Sequence, residues 1–174
     1  RFKKDWVNVA QDSEGHLHLE IEGYWHDTVL LEVMILAIVS ELHHRITGEL
    51  DKIDLEEYYN LSYAKARNML SEGLTISEFG TRRRFSLATE EQAVRAFIDA
   101  DRDLRKELGD SYKGHFPGTS NVWLASKYNV VPIGTMAHEF ISAIAGMYGP
   151  QEANHIAMDM WQKTFIGSLG IFLY

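Results

Sequence analysis

The chain has 174 residues, 45% of them apolar and 24% charged, with a net charge of −8 and no cysteine. This is enough for one domain with a real core, or for a piece of a larger one, and it excludes a disulfide framework, thiolate chemistry and a zinc–thiolate site. The acidic balance argues against a general nucleic-acid coat.

Membrane and export signals are missing too. The longest apolar run, residues 29–39, is broken by Glu32 and is too short to span a bilayer. The start, RFKKDWVNV, has no continuous apolar stretch of the kind a signal peptide needs. Lack of cysteine fits a cytoplasmic protein. The chain begins on Arg1 and stops at the apolar LGIFLY of residues 169–174. Domains usually end in exposed polar segments, so the pattern reads as a segment cut from a longer protein.

Residues 6–22 alternate. Val7 and Val9 precede a polar turn, QDSEG, after which Leu17, Leu19 and Ile21 point one way and His16, His18 and Glu20 the other. This predicts a hairpin with one wet face. Residues 29–47 read as a buried core helix ending near Thr47-Gly48. Residues 54–71 read as an amphipathic helix carrying Leu55, Tyr58, Tyr59, Tyr63, Ala66 and Leu70.

A different rhythm follows. A strand at 74–79 leads to a helix that opens at TEEQ, with Thr89 and Gln92 in a capping box. Its core stripe is Val94, Phe97, Ile98, Leu104 and Leu108, and Gly109 stops it. A short strand at 114–117, a short helix at 121–129, a strand at 130–134 and a helix at 136–147 come next. Pro150 opens another helix at its first turn, reaching about Thr164, and a last strand covers 169–174. This β-α-β-α-β-α-α-β order predicts parallel strands with crossover helices. A doubly wound sheet and a (β/α) barrel both fit, and local signals do not choose between them.

Three Gly-Thr pairs each follow a strand-like run: Gly80-Thr81, Gly118-Thr119 and Gly134-Thr135. In parallel α/β folds ligands bind at the carboxyl ends of strands. Glycine admits close backbone approach, and exposed N–H groups suit phosphate. Three such pairs at equivalent places point to one shared site. The plainer alternative is that they are only turn glycines.

Arg82, Arg83 and Arg84 follow the first pair. A guanidinium offers a planar fork of donors that matches phosphate or carboxylate. On a strand successive residues alternate, so at most one or two could reach a ligand. The others would be solvated or paired with acidic groups.

His138 follows the third pair, where a nucleophile, base or phosphate acceptor could act. Ser142 stands where a metalloprotease motif needs its second histidine. His16 and His18 share a strand face, with no third metal ligand suggested. His43 and His44 are expected on different helix faces, without a joint site. The phosphate-loop, dinucleotide and serine-hydrolase motifs GxxxxGKS/T, GxGxxG and GxSxG are absent.

Taken together, EFGTRRRFS, GTSNVWLA and PIGTMAHEF resemble the bacterial nicotinate phosphoribosyltransferases. The order and spacing agree over about residues 6–174, and the segment at 22–44 is similar to the family's helix leading into its barrel. One departure is Met34, where relatives often have a proline after the Glu-Val pair. The resemblance implies an irregular α/β barrel of the type II phosphoribosyltransferase kind, joined to a smaller α/β domain. Residues 1–44 would close the small domain and lead into the barrel, and residues 45–174 would form its first part.

The implied reaction makes nicotinate mononucleotide and pyrophosphate from nicotinate and phosphoribosyl pyrophosphate, with ATP hydrolysis and Mg²⁺, as part of NAD salvage. By the resemblance, Phe79 stacks on the pyridine ring and Arg82 holds the phosphoribosyl phosphates. Arg83 lies nearby, and Arg84 is structural. Ser120 stands where nicotinamide-using relatives have an aspartate. A carboxylate there would accept from an amide and repel a nicotinate carboxylate, so serine favours the acid. His138 matches the histidine that takes the phosphoryl group of ATP. Gly118, Thr119, Gly134 and Thr135 line the substrates, and no metal ligand is identifiable in the segment.

The family's other site elements would lie beyond Tyr174 and before Arg1, the latter contributed by the partner of a homodimer with a shared site. The isolated chain would then be inactive. The competing readings are a nicotinamide or quinolinate phosphoribosyltransferase, and an inactive barrel fragment that serves as a binding module.

Overall fold

A computed structural model of the chain describes residues 3–166 and 168. The chain divides into two compact units, Arg1–Phe116 and Pro117–Tyr174. The expected last strand at 169–174 lies outside the described residues.

The first unit opens with strands β1 (Val7–Gln11) and β2 (Leu17–Ile21), an antiparallel hairpin with Val7 opposite Ile21 and Gln11 opposite Leu17. Asp12 builds the turn. Its Oδ1 accepts from the N–H groups of Glu14 and His16, each at 2.9 Å. Its Oδ2 contacts His18 Nε2 at 3.0 Å and His16 Nδ1 at 3.1 Å. The bond to His18 and the backbone bond from His16 hold the Asp12 carboxyl at about 2, down from an ordinary 3.8. The alternation is as expected, but the apolar face is not covered: Val9, Leu17 and Ile21 are all exposed.

Helix α1 (Trp25–Thr28) leads into α2 (Leu31–Ile46). The helix is where the sequence places it, but its burial is not. Of its residues only Leu31 and Ala37 are buried, while Met34, Ile38, Leu42 and Ile46 face out. One flank packs on the turn at 81–83. The other flank has no apolar cover among the described residues.

Helix α3 (Leu55–Ser71) is capped by Asp54, whose side chain accepts from the N–H groups of Glu56 and Glu57. Helix α4 (Leu87–Leu108) starts earlier than expected. Its capping box uses Ser86 and Thr89: Ser86 Oγ accepts from Thr89 N–H, and Thr89 Oγ1 accepts from Ser86 N–H. Thr89 therefore sits in the first turn, and the proposed Thr89–Gln92 box is wrong by one turn. Leu108 is exposed at the helix end rather than part of the core stripe.

Three side-chain pairs tie α3 to α4: Tyr59–Asp99 at 2.7 Å, Tyr63–Asp103 at 3.0 Å and a two-pronged Arg67–Glu107 at 2.6 and 2.8 Å. Each step advances four residues on both helices, so the helices run parallel. Two consecutive parallel helices need a return stretch between them, and residues 72–86 supply it. Beneath the ladder lies a core of Ala66, Leu70, Ala100, Leu104 and Phe116.

The return stretch is less regular than the predicted strand. Thr75 pairs, in parallel, with His115, through Ile76 N–H to His115 C=O at 3.0 Å and His115 N–H to Leu74 C=O at 3.1 Å, and Glu78 is a second isolated bridge residue. The Glu78 carboxylate then bonds the Gly80 N–H. That bond turns the chain out of its extended course just before the arginines. The expected strand at 114–117 likewise reduces to His115.

In the second unit, strands β3 (Gly118–Thr119) and β4 (Val131–Pro132) pair in parallel across helix α5 (Val122–Tyr128). The ladder donors are Val131 N–H to Pro117 C=O and Ile133 N–H to Thr119 C=O, each at 3.0 Å. Pro132, with no N–H to give, falls between them and costs the ladder nothing. Helix α6 (His138–Tyr148) begins two residues later than expected, and α7 (Ala153–Phe165) begins after Glu152, with Pro150 in the preceding turn instead of the first helical turn. Met136, Ile144, Ala153 and Ala157 form this unit's core. Among the described residues no helix is long and apolar enough to cross a membrane.

Two of the glycines differ sharply in what they tolerate. A Cβ on Gly118 would overlap the backbone of Val131, whereas Gly134 has open space around it. Gly118→Ala should therefore cost about 1–3 kcal/mol or more, and Gly134→Ala should leave stability within about 1 kcal/mol of the parent. Urea unfolding of the two variants checks this difference.

Candidate active site

The arginine triplet does not sit on a strand. Residues Thr81–Arg83 form a single 3-10 turn, in which side chains fan out about 120° apart instead of alternating. The fan separates Arg82 from Arg83, and Arg84, the extended residue that ends the turn, takes a third direction. Arg82 is 45% exposed and pairs with Glu32 of α2 at 2.6 Å. Arg83 is exposed and has no ion-pair partner among the described residues. Arg84 turns inward, 14% exposed, bonding Glu90 at 2.8 Å with Glu41 at 3.7 Å.

Glu90 is the anchor of this turn. It is buried, only 3% exposed. One carboxylate oxygen accepts from the Thr81 hydroxyl at 2.5 Å and the other from Arg84 at 2.8 Å. The two residues that flank Arg82 and Arg83 are thus fixed to one side chain. Further bonds tie the turn to α2: Ser40 Oγ donates to the Arg84 carbonyl at 2.8 Å, and Glu41 accepts from Leu87 N–H at 2.9 Å. Sequence reasoning placed Glu90 only in a helix start. A cue was available, because an acid one helical turn after a cationic triplet is well placed to pair back onto it.

Phe79, just ahead of the turn, is 46% exposed. An aromatic ring left half in water can stack on a flat ligand. Phe79, Arg82 and Arg83 are all exposed in the first unit, within five residues of one another.

The second unit groups the others. Gly118 and Thr119 are buried in β3, and Thr119 Oγ1 accepts from Asn121 N–H at 3.0 Å. Ser120 follows β3 and Gly134-Thr135 follow β4. Parallel pairing puts all three at the same, carboxyl end of that strand pair. His138 is the first residue of α6 and is exposed. No side chain caps that helix start, which carries the partial positive charge of the helix dipole.

Two other histidine sets depart from expectation. His16 and His18 have a shared carboxylate partner, Asp12. His43 and His44 do not diverge: with Glu49 they place one ligand atom each within 4.8 Å of the others. A shallow hollow of about 300 Å³ lined by Leu55, Glu56, Tyr59, Gln92 and Arg95 holds none of the expected site residues.

The model of the nicotinate phosphoribosyltransferase (NAPRTase) family matches residues 74–174, from the return stretch through the arginine turn and both Gly-Thr strand ends that follow. The chain belongs to the nicotinate phosphoribosyltransferase family. Among relatives, the nicotinate phosphoribosyltransferase of Methanococcoides burtonii is 31% identical over 99% of this chain and 42% of its own length. That of Methanosarcina mazei is 35% identical over 99% of this chain and 43% of its own length. The crystal structure of nicotinate phosphoribosyltransferase from Porphyromonas gingivalis superposes with a TM-score of 0.81 at 33% identity, over 98% of this chain and 40% of that one. The chain thus spans about two-fifths of the length of these relatives.

The family assignment gives the Glu90 anchor a clear test. Removing one partner of a buried charge pair typically costs about 3–5 kcal/mol, while replacing both by apolar groups is close to neutral. Glu90→Leu should lower stability by about 3 kcal/mol or more, and the double variant Arg84→Met, Glu90→Leu should regain most of that. Chemical unfolding of the parent and both variants measures the difference.

Proposed function

We propose that the protein carrying this chain makes nicotinate mononucleotide and pyrophosphate from nicotinate and phosphoribosyl pyrophosphate, coupled to ATP hydrolysis. The observation that carries this reading is the arginine turn, built to present Arg82 and Arg83 outward, in a chain of this family.

In this reading the Arg82–Glu32 pair is exchangeable. Both side chains are nearly half exposed, and such surface pairs contribute little, about 0–1 kcal/mol. A phosphate, with more charge and more acceptor oxygens, displaces Glu32 from the guanidinium. Arg83 adds a second cation, and the half-exposed Phe79 ring stacks on the pyridine. The C1–O bond to pyrophosphate breaks as the pyridine nitrogen forms its bond to C1, through a transition state of oxocarbenium character. Proton transfer is not the main need. Placing the two substrates and neutralising the leaving phosphates are.

The second unit supplies selectivity and ATP chemistry. Ser120 is half-buried at the end of β3. It offers no negative charge to repel a nicotinate carboxylate and no carboxylate to accept from an amide. Gly134 and Thr135 give open backbone and a hydroxyl to phosphate. His138 accepts the γ-phosphoryl group: its ring nitrogen forms the bond to phosphorus as the bond to ADP breaks, and the ring gives up its other proton. The uncapped start of α6 suits the resulting anion. Mg²⁺ wants several oxygen donors. The assigned residues offer guanidinium, imidazole and hydroxyl groups instead and do not form a donor set for the ion.

The barrel, the homodimer with its shared site and the cytoplasmic location belong to the same proposal, as does the division into residues 1–44 and 45–174. The parallel helices α3 and α4 and the parallel pair β3–β4 support an α/β barrel segment. Glycosyl transfer by the whole protein also accounts for the inactivity expected of this segment alone.

Incubating the natural protein with phosphoribosyl pyrophosphate, Mg-ATP and either nicotinate or nicotinamide tests the reading. Mass spectrometry should find mononucleotide from nicotinate only, with ATP raising the yield. Product from nicotinamide in its place would overturn the role of Ser120, and no product from either would overturn the function.

A further inference from the structure

The end of α2 holds a cluster that the phosphoribosyl chemistry does not use. His43, His44 and Glu49 each offer a ligand atom, all within 4.8 Å of one another. A helix by itself does not supply this, since adjacent residues project about 100° apart. The chain reversal after the helix does.

Gly48 adopts φ +71, Gly48 N–H donates to Arg45 C=O at 3.3 Å, and Glu49 N–H donates to His44 C=O at 2.9 Å. These are the two bonds of a Schellman motif, in which the second residue past the helix end normally makes an apolar contact with the last turn. Here that residue is Glu49, and its carboxylate meets His44 Nδ1 instead.

The rest of the surroundings fit a cation. The His43 and His44 rings meet edge to face at 5.3 Å, and Phe85 packs on His44 at 4.6 Å, holding that ring in place. Arg45 is engaged with Glu41 at 3.1 Å. The carboxyl end of a helix carries partial negative charge. An ion pair between His44 and Glu49 would need no second imidazole, yet His43 is gathered in as well.

We propose that His43, His44 and Glu49 form a site for a divalent transition-metal cation of the Zn²⁺ type, bound by two imidazole nitrogens and one carboxylate oxygen. Water completes the shell, because His43 and Glu49 are both exposed. Imidazole donors select such borderline ions over Mg²⁺ and Ca²⁺. Bonds of about 2.0–2.1 Å place tetrahedral ligand atoms roughly 3.3 Å apart, and rotation of the exposed His43 ring closes the set. The site ties the end of α2 to the segment that follows and is independent of the proposed reaction.

The natural protein, stripped of metal, is titrated with Co²⁺ as an optical probe and then with Zn²⁺ in competition. The expected result is visible d–d absorption that saturates with a single Co²⁺ per chain and is displaced by Zn²⁺. His43→Ala, at an exposed position that leaves the His44–Glu49 pair in place, should weaken binding by about 10–100-fold. The double variant His16→Ala, His18→Ala should bind as the parent does. Absence of a saturable Co²⁺ spectrum, unchanged affinity in folded His43→Ala, or loss of binding only in the His16, His18 variant would each overturn the proposal.

Discussion

One buried carboxylate organises the arginine turn of the first unit. Glu90 accepts from Thr81 on one oxygen and from Arg84 on the other. Between those two anchors the chain has room for a single 3-10 turn, so Arg82 and Arg83 have nowhere to point but outward. The arrangement uses α4 twice. Its capping box sets the helix start through Ser86 and Thr89, and the next residue, Glu90, reaches back to hold the turn that precedes the cap. A charge so far from water costs several kcal/mol unless fully paired, and pairing it with the last arginine of the triplet both meets that cost and decides which arginines point outward.

Much of this was legible from the residues alone. Helix α3 follows its apolar spacing, with Ala66 and Leu70 fully buried, and α5 and β4 fall where the sequence predicts, whereas β3 lies at Gly118–Thr119, just past the expected strand at 114–117. The family is written in EFGTRRRFS, GTSNVWLA and PIGTMAHEF, because those stretches carry the backbone shapes and side chains of strand ends. What periodicity could not convey was the geometry of the arginine turn. A run of three identical cations in a strand-like context suggests alternation, and only the Glu78 bond to Gly80 N–H and the Glu90 anchor show why the chain turns instead. The α4 cap was misplaced for a related reason: Thr89 is a good capping residue, but Ser86 three residues earlier makes the reciprocal bonds.

The exposed apolar faces have a common physical reading. The hairpin and α2 both carry alternating or periodic apolar residues that a buried setting would explain, and both show them to solvent among the described residues. Relatives are more than twice as long as this chain. The expectation of a buried core helix at 29–47 rested on its apolar content alone, and within the described residues only Leu31 and Ala37 of that helix find cover.

In the proposed reaction Glu90, without touching a substrate, sets the arginine turn for phosphate. The most direct measurement is calorimetric titration of the natural protein with phosphoribosyl pyrophosphate, comparing the parent with Glu90→Gln at a temperature where circular dichroism shows both folded. Glutamine keeps the size but removes the charge that holds Arg84. The affinity should fall by about tenfold to a hundredfold, the scale of loss that follows a misplaced binding group. Equal affinity in the folded variant would contradict the account, because the arginine turn would then be set by something other than Glu90.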